Sequence, residues 1–187
     1  PKPPTRVYQA GAAANLYQGE PLLIVYGTRG DRTQQLKTLA QTLASYGGPT
    51  NERIPNLFPV IADRELTQAQ QTNANLILVG TPTENRLSQA ILSGLPIKIQ
   101  QGTLLAGGRS PLPLENQILS LLAPHPDHPQ RLVYLLAPFT DTAGLAQIVA
   151  KPASFLAGSD GFDRISQADL LTQNPQHLIS RQLQYGK

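Results

Sequence analysis

The chain has 187 residues, of which 40% are hydrophobic, and this suits one domain with a sizeable core. Charged residues make up 14% of the chain, and the formal net charge is +3. The arginines and lysines are scattered rather than gathered in a basic stripe, which argues against nucleic acid as a partner. Cysteine is absent, so the chain offers no disulfide, thiolate nucleophile or thiolate zinc site.

The ends and the longest apolar run bear on how the chain is organised. Three of the first four residues are proline and methionine is absent, which favours a processed protein or a fragment of a longer polypeptide. We interpret residues 1–18 as a linker that leads into one α/β domain at 19–187. The longest apolar run, Leu22–Tyr26, is far too short to cross a bilayer, so no membrane insertion is expected.

Strand and helix patterns alternate from residue 22 onward. Continuous apolar runs predict four buried strands at residues 22–26, 60–62, 76–79 and 132–136. Apolar residues at helical spacing predict three helices around residues 36–43, 87–91 and 145–149. A short helix is expected after Thr67 as its cap, and Asp141 or Thr142 is expected to cap the helix that follows the fourth strand.

The remaining segments have weaker patterns. Residues 97–106 contain two short strand-like pieces around Gln101-Gly102, which predict a hairpin. Leu114, Ile118, Leu121 and Leu122 recur at helical spacing and predict another helix. A last strand is expected at residues 154–157, with one more helix in the tail.

This alternation predicts a doubly wound α/β fold, flavodoxin- or Rossmann-like, with a mainly parallel sheet covered by helices on both faces. The order of the strands does not follow from their spacing. Ligands of such open sheets bind at the carboxyl edge, near the point where the strand order reverses. The strand exits are therefore the best candidate site in the sequence.

Two interpretations of these exits remain open. Helix-terminal amides and arginine side chains there are suited to an anionic group. Alternatively, the glycines make tight turns, Thr83 and Asp31 cap helices, and the arginines stay solvated. The candidate ligand-binding residues are Gly27, Thr28, Arg29, Asp63, Gly80, Thr81, Asn85, Arg86 and Asp141.

Motifs for specific nucleotide or metal chemistry are missing. The loop after the first strand lacks the GxGxxG spacing, and no GxxxxGK[ST] sequence occurs, so no cofactor is predicted. His125-Pro126-Asp127-His128 contains possible metal donors, but two prolines restrict it and no further ligand set accompanies it. We interpret that segment as a connecting loop.

A serine hydrolase site is also not indicated. The nearest string to the GxSxG elbow is Ala157-Gly158-Ser159-Asp160-Gly161, which fails at its first glycine. Ser159 is therefore a poor candidate for a nucleophile. Asp160 and Asp163 are more typical of caps or solvated loop residues than of an acid/base pair.

Several segments together resemble an α/β domain that is appended to secreted prolyl-oligopeptidase-like esterases and peptidases. The segments with this resemblance are 19–28, 63–67, 75–86, 95–97 and 129–135, and their order covers roughly residues 11–171. In such proteins the hydrolase site lies in a separate, larger domain. The resemblance implies an accessory or interaction role, a preceding domain of the same polypeptide as partner, and an extracellular or periplasmic location.

Three classes of function follow, in this order of preference. The first is a non-catalytic accessory or interaction domain of a larger hydrolase. The second is a module that binds a small anion or a nucleotide. The third is an independent hydrolase, whose nucleophile and base would have to be assembled in three dimensions.

Overall fold

The computed structural model describes residues 16, 21–45, 58–95, 97–106, 110–150 and 163–166. The strands in this part of the chain are β1 (Leu22–Tyr26), β2 (Val60–Ala62), β3 (Asn75–Val79), β4 (Ile97–Gln100), β5 (Thr103–Ala106), β6 (Leu112–Pro113), β7 (Gln117–Pro124), β8 (Leu132–Phe139) and β9 (Asp163–Ser166). The helices are α1 (Thr33–Ser45), α2 (Gln68–Asn73), α3 (Arg86–Ser93) and α4 (Thr142–Ala150).

Six strands form the main sheet in the order β2-β1-β3-β8-β7-β9, and β4, β5 and β6 form a smaller antiparallel sheet. Neighbouring strands are parallel from β2 to β8 and again between β7 and β9, whereas β7 is antiparallel to β8. The predicted α/β class with a mainly parallel sheet is therefore confirmed. The four predicted strands correspond to β1, β2, β3 and β8.

The core lies on both faces of the main sheet. All five residues of β3 are buried, because β3 lies between β1 and β8 in the sheet and apolar residues of the helices cover both of its faces. Its side chains alternate: Leu76 and Leu78 join a cluster that includes apolar residues of α3, whereas Ile77 and Val79 join one built with α1 and α4. Helices thus cover both faces, as predicted.

Polar side chains fix the starts of three helices. Thr67 forms a capping box with Gln70 at α2, and the Asp141 carboxylate accepts from the Gly144 amide at 2.7 Å in the first turn of α4. Both predicted caps are confirmed. At α3, however, the predicted cap Thr83 is wrong, because the carboxamide of Asn85 accepts from the first amides of the helix.

The predicted hairpin is confirmed in the smaller sheet. Strands β4 and β5 are antiparallel and pair Gln100 with Thr103, so Gln101 and Gly102 alone make the turn. Both have positive φ, 49° and 71°, as a two-residue turn between twisted strands requires. Glycine is suited to the second position because it adopts this conformation without steric strain.

The helix predicted around residues 114–122 is wrong, since this segment forms β7. Ile118 and Leu122 lie in the core on one face of the sheet, and Leu119 and Leu121 lie in the core on the other. A strand buried on both faces gives an almost continuous apolar run, in which a helical spacing can be picked out by chance. Strand β7 also reverses the direction of the sheet.

Some predictions fall outside the described residues. These are the strand at 154–157, the helix in the tail and most of the linker at 1–18. Within the linker range Leu16 is described, and its side chain is fully buried in the core cluster built with α1 and α4. Strand β9 was not predicted. The assignment of 19–187 to one domain stays a prediction.

Candidate functional site

The loops after β1 and β3 lie against each other at the carboxyl edge of the sheet. The Gly27 amide donates to the Val79 carbonyl at 2.9 Å, and the Arg29 amide donates to the Glu84 carbonyl at 3.0 Å. A Cβ atom on Gly27 would lie 2.6 Å from the Glu84 carbonyl oxygen. The two loops approach this closely only because residue 27 is glycine.

Asn85 ties both strands to the start of α3. It is fully buried, and its Nδ2 donates to the carbonyls of Val25 and Val79, each at 3.1 Å. Its Oδ1 accepts from the amides of Leu87 and Ser88 at 3.0 and 3.3 Å. The side chain therefore both caps the helix and holds β1, β3 and α3 in one arrangement.

Asp63, which follows β2, places a carboxylate at the amino end of α3. Asp63 is 2% exposed. Its Oδ1 accepts from the Thr28 hydroxyl at 2.6 Å, and its Oδ2 accepts from the Arg86 amide at 2.9 Å. The Arg86 Nε lies 3.7 Å from Oδ2. This carboxylate matches the positive end of the helix dipole, so the amino end of α3 already has an anionic partner.

A buried ion pair joins the exits of three strands. Arg32, just before α1, places its Nε 2.6 Å from Oε1 of Glu84, and the two side chains are only 10% and 11% exposed. Its Nη2 donates to the Pro138 carbonyl at 3.1 Å, and its Nη1 donates to the Thr140 carbonyl. Glu84 Oε2 accepts from the amide and the hydroxyl of Thr81 at 3.0 and 2.7 Å.

A cavity of about 950 Å³ lies beside this ion pair. One wall consists of the loops after β1, β3 and β8. The other wall consists of the β4–β5 hairpin, β6 and residues 114–115, which lead into β7. The second wall reaches this edge because β7 runs antiparallel to β8 and therefore begins where β8 ends. The lining residues are Arg29, Gly30, Asp31, Arg32, Thr81, Thr83, Glu84, Ile99, Gln101, Gly102, Thr103, Pro113, Leu114, Glu115, Phe139 and Thr140.

The cavity surface is mixed in polarity. Arg32 and Glu84 neutralise each other, whereas the exposed side chains of Arg29, Asp31 and Glu115 present charge of both signs. Ile99, Pro113 and Phe139 add apolar surface. A few polar groups set against apolar walls are typical of sites that bind a ligand or a peptide segment.

All candidate ligand-binding residues from the sequence lie at the carboxyl exits of β1, β2, β3 and β8. Within this group, Arg29 and Thr81 line the cavity. The other side chains make internal contacts: Thr28 binds Asp63, Asn85 caps α3, and Asp141 caps α4. Their role in binding a ligand stays a prediction.

The sequence did not single out Arg32 and Glu84. Glu84 had a local signal, since it follows Thr81 by three residues in a T-x-x-E pattern that favours a hydrogen bond between the two side chains. Arg32 had none, because its carboxylate partner lies 52 residues away along the chain.

The described residues contain no arrangement typical of nucleophilic catalysis. The Thr72 hydroxyl lies 3.4 Å from His128 Nε2, but at the opposite edge of the sheet from the cavity. Among the described residues, no carboxylate hydrogen-bonds either His125 or His128, so neither resembles an oriented catalytic base. Ser159 lies outside the described residues.

The His125–His128 segment forms the loop between β7 and β8, as predicted. In the part of the chain that the structure describes, no three histidine, aspartate or glutamate side chains are grouped to hold a metal ion.

None of the helices in the described ranges has the length and apolar character that crossing a bilayer requires.

No protein-family model matches the chain, and no curated protein matches it in sequence.

Proposed function

We propose that this chain is a non-catalytic accessory domain of a larger hydrolase, extracellular or periplasmic, and that it acts by binding at the cavity on the carboxyl edge. The fold supports the position of the binding site at this edge of the sheet. Counted along the chain, the four parallel strands β1, β2, β3 and β8 lie in the order 2-1-3-4, which is the order of flavodoxin-like doubly wound folds. In that order the ligand site lies at the reversal between β1 and β3.

The observation that carries the proposal is how the polar groups around the cavity are used. The carboxylates of Asp63 and Glu84 and the carboxamide of Asn85 are buried and bonded to other groups of the protein. A general base needs a free lone pair within reach of a substrate proton. These buried groups instead stabilise the walls of the cavity, which favours binding over chemistry.

The resemblance supports the biological context. Three of the segments that carry it, 19–28, 63–67 and 75–86, contain the exits of β1, β2 and β3 together with their loops. The exits of β1 and β3 contribute to one side of the cavity, and the exit of β2 contributes Asp63 to the hydrogen-bond network beside it. The preceding domain of the same polypeptide is the partner that this context implies.

The first test is a turnover assay of the purified chain with activated acyl esters and short peptides. We expect no saturable turnover. Ser159→Ala and His125→Asn serve as controls, because they remove a possible nucleophile and a possible base. Saturable turnover that is lost in either variant would show that the chain is an independent hydrolase.

The second test concerns the partner. We expect the complete coding sequence to include a hydrolase domain with a GxSxG elbow, and we expect that domain to bind this chain when the two are produced separately. Glu115→Arg reverses a charge in the cavity and should weaken this binding. Gln147→Arg, at an exposed position of α4 away from the cavity, is the matched control. A complete coding sequence without a second domain would contradict the accessory role.

One observation favours the small-anion alternative. Arg29 is exposed at the cavity, and its Nη1 bonds to the neutral carboxamide of Gln89 at 3.2 Å rather than to an acid. Against it, Asp63 already occupies the amino end of α3. Titration calorimetry with phosphate, a nucleotide and a carboxylate separates the two functions. We expect no binding at millimolar ligand, and binding that disappears in Arg29→Ala but persists in Arg86→Ala would favour the alternative.

A further inference from the structure

The loop between β7 and β8 is closed by its own backbone. The His125 amide donates to the Arg131 carbonyl at 2.8 Å, and the Arg131 amide donates to the His128 carbonyl at 2.8 Å. The His128 amide donates to the His125 carbonyl at 3.2 Å. We refer to residues 125–131 as the histidine loop.

His125 is the buried centre of the histidine loop. It is 2% exposed, and its Nδ1 accepts a hydrogen bond from the Asp127 amide at 3.1 Å. Because Nδ1 is the acceptor, the neutral ring carries its proton on Nε2. Among the described residues, Nε2 is buried and has no hydrogen-bond partner. The ring thus has one structural bond, and that bond exists only while Nδ1 is unprotonated.

The groups around this ring offer little to stabilise a positive charge. The His128 ring lies 4.8 Å away between centroids, tilted by 42°, and would repel a charged His125 when it is itself protonated. Asp127 is an exposed carboxylate in the same loop. Further contacts of the loop include the neutral Gln68 and Thr72 of α2 beside His128, Gly94 after α3 beside Pro126, and the Arg131 guanidinium on the Thr72 carbonyl.

We propose that His125 is an acid-sensitive latch, and that its protonation opens the histidine loop and releases it from the ends of α2 and α3. A proton on Nδ1 would turn the acceptor into a donor that faces the Asp127 amide. The turn at 125–128 would then hold a buried cation whose Nδ1–H group faces another donor, the Asp127 amide. Opening the loop lets water solvate the charged ring, so the open form becomes favoured as acid increases.

The direction of the pH dependence follows from the pKa of His125. Burial lowers this pKa below the ordinary value of 6.5, the charge of His128 lowers it further, and the Asp127 carboxylate opposes part of the change. The closed loop therefore favours the neutral ring. Its stability is fully present above pH 6.5, falls as the pH drops from there to the lowered pKa of the closed form, and falls no further below it.

The test is amide hydrogen exchange of the full chain between about pH 8 and about pH 5, corrected for the intrinsic dependence of exchange on pH. We expect the Asp127 and Arg131 amides to lose protection as the pH falls through this range. The amides of β3, in the middle of the sheet, serve as an internal reference and should keep their protection. Loss of equal size in both places would mean global unfolding and would overturn the proposal.

Two variants identify the responsible group. His125→Asn keeps an acceptor oxygen near the position of Nδ1 but cannot titrate, so protection of the loop should become independent of pH. His128→Asn should retain the pH response, with its midpoint at higher pH because a nearby positive charge is gone. An unchanged pH response in His125→Asn would overturn the proposal. If that variant does not fold, the titration of the His125 ring in the unmodified chain, followed by NMR, decides: a pKa at or above 6.5 would overturn the proposal.

Discussion

Replacing Arg32 by methionine should be among the most damaging changes at the cavity. The substitution removes the partner of Glu84, whose side chain is only 11% exposed, and leaves the Pro138 and Thr140 carbonyls without their donor. Breaking a buried pair from one side costs roughly 3–5 kcal/mol. Domains have unfolding free energies of roughly 5–15 kcal/mol, so this loss would be a large share of the total.

Urea unfolding followed by circular dichroism measures this loss, with Arg29→Met as the matched control. Arg29 is exposed, so its variant should lose less than about 1 kcal/mol. The double variant Arg32→Met/Glu84→Gln should lose less than the sum of its two single variants, because the second change removes the carboxylate that the first leaves unpaired. Equal losses for Arg32→Met and Arg29→Met would refute the assignment of a buried, stabilising pair.

Three further changes test the sheet and its carboxyl edge by the same unfolding measurement. Leu78→Asp places a carboxylate at a fully buried position of β3 and should lower the free energy of unfolding by several kcal/mol. The control Arg86→Ala should lower it by less than about 1 kcal/mol. Similar urea midpoints for the two variants would place Leu78 outside the core. Gly27→Ala should cost roughly 1–3 kcal/mol through the clash with a backbone carbonyl, and Gly30→Ala, which has open space but a φ of +93°, about 1 kcal/mol. The reverse order would mean that the loops are not in close contact. Asp63→Asn should cost about 1–3 kcal/mol, because its amide cannot accept both bonds that the carboxylate accepts; no loss would argue against the bonds at the start of α3.

The four parallel strands could be predicted because their sequences carry a direct physical signal. A strand buried on both faces, such as β3, needs apolar side chains at nearly every position. The short-range signals were equally informative. The capping residues Thr67 and Asp141 and the turn at Gln101-Gly102 depend only on neighbouring residues, and the structure confirms all three.

Strand β7 could not be predicted from the same pattern. Its burial on both faces produces apolar pairs, Ile118-Leu119 and Leu121-Leu122, that fit a helix as well as a strand. Only its pairing with β8 decides between them. That pairing depends on residues beyond the histidine loop and is not visible in a local window.

The sequence pointed to the strand exits as the candidate site, and a cavity lies there, but the buried Arg32–Glu84 ion pair beside that cavity was not predicted. General rules for open α/β sheets place ligands at this edge, and these rules led to Arg29 and Asp63. The pair of Arg32 and Glu84 joins residues that are distant in sequence, so no spacing rule reveals it. The second wall of the cavity was not predicted either, because its position depends on the pairing of β7 with β8, which a local window of sequence does not show.

The smaller sheet, which forms the second wall of the cavity, has a consequence for how the binding site of this domain can change. The wall that faces the strand exits is a separate three-stranded meander, inserted between α3 and β7. Its strands pair with one another and with no strand of the main sheet among the described residues. Ile97 and Leu104 of this insert pack into the core of the main sheet. Its exposed residues at the cavity, such as Gln101 and Pro113, can change in size and charge while the register of the main sheet stays fixed. Substitutions at these exposed positions of the insert are therefore a route to changing which ligands the cavity binds without changing the main sheet.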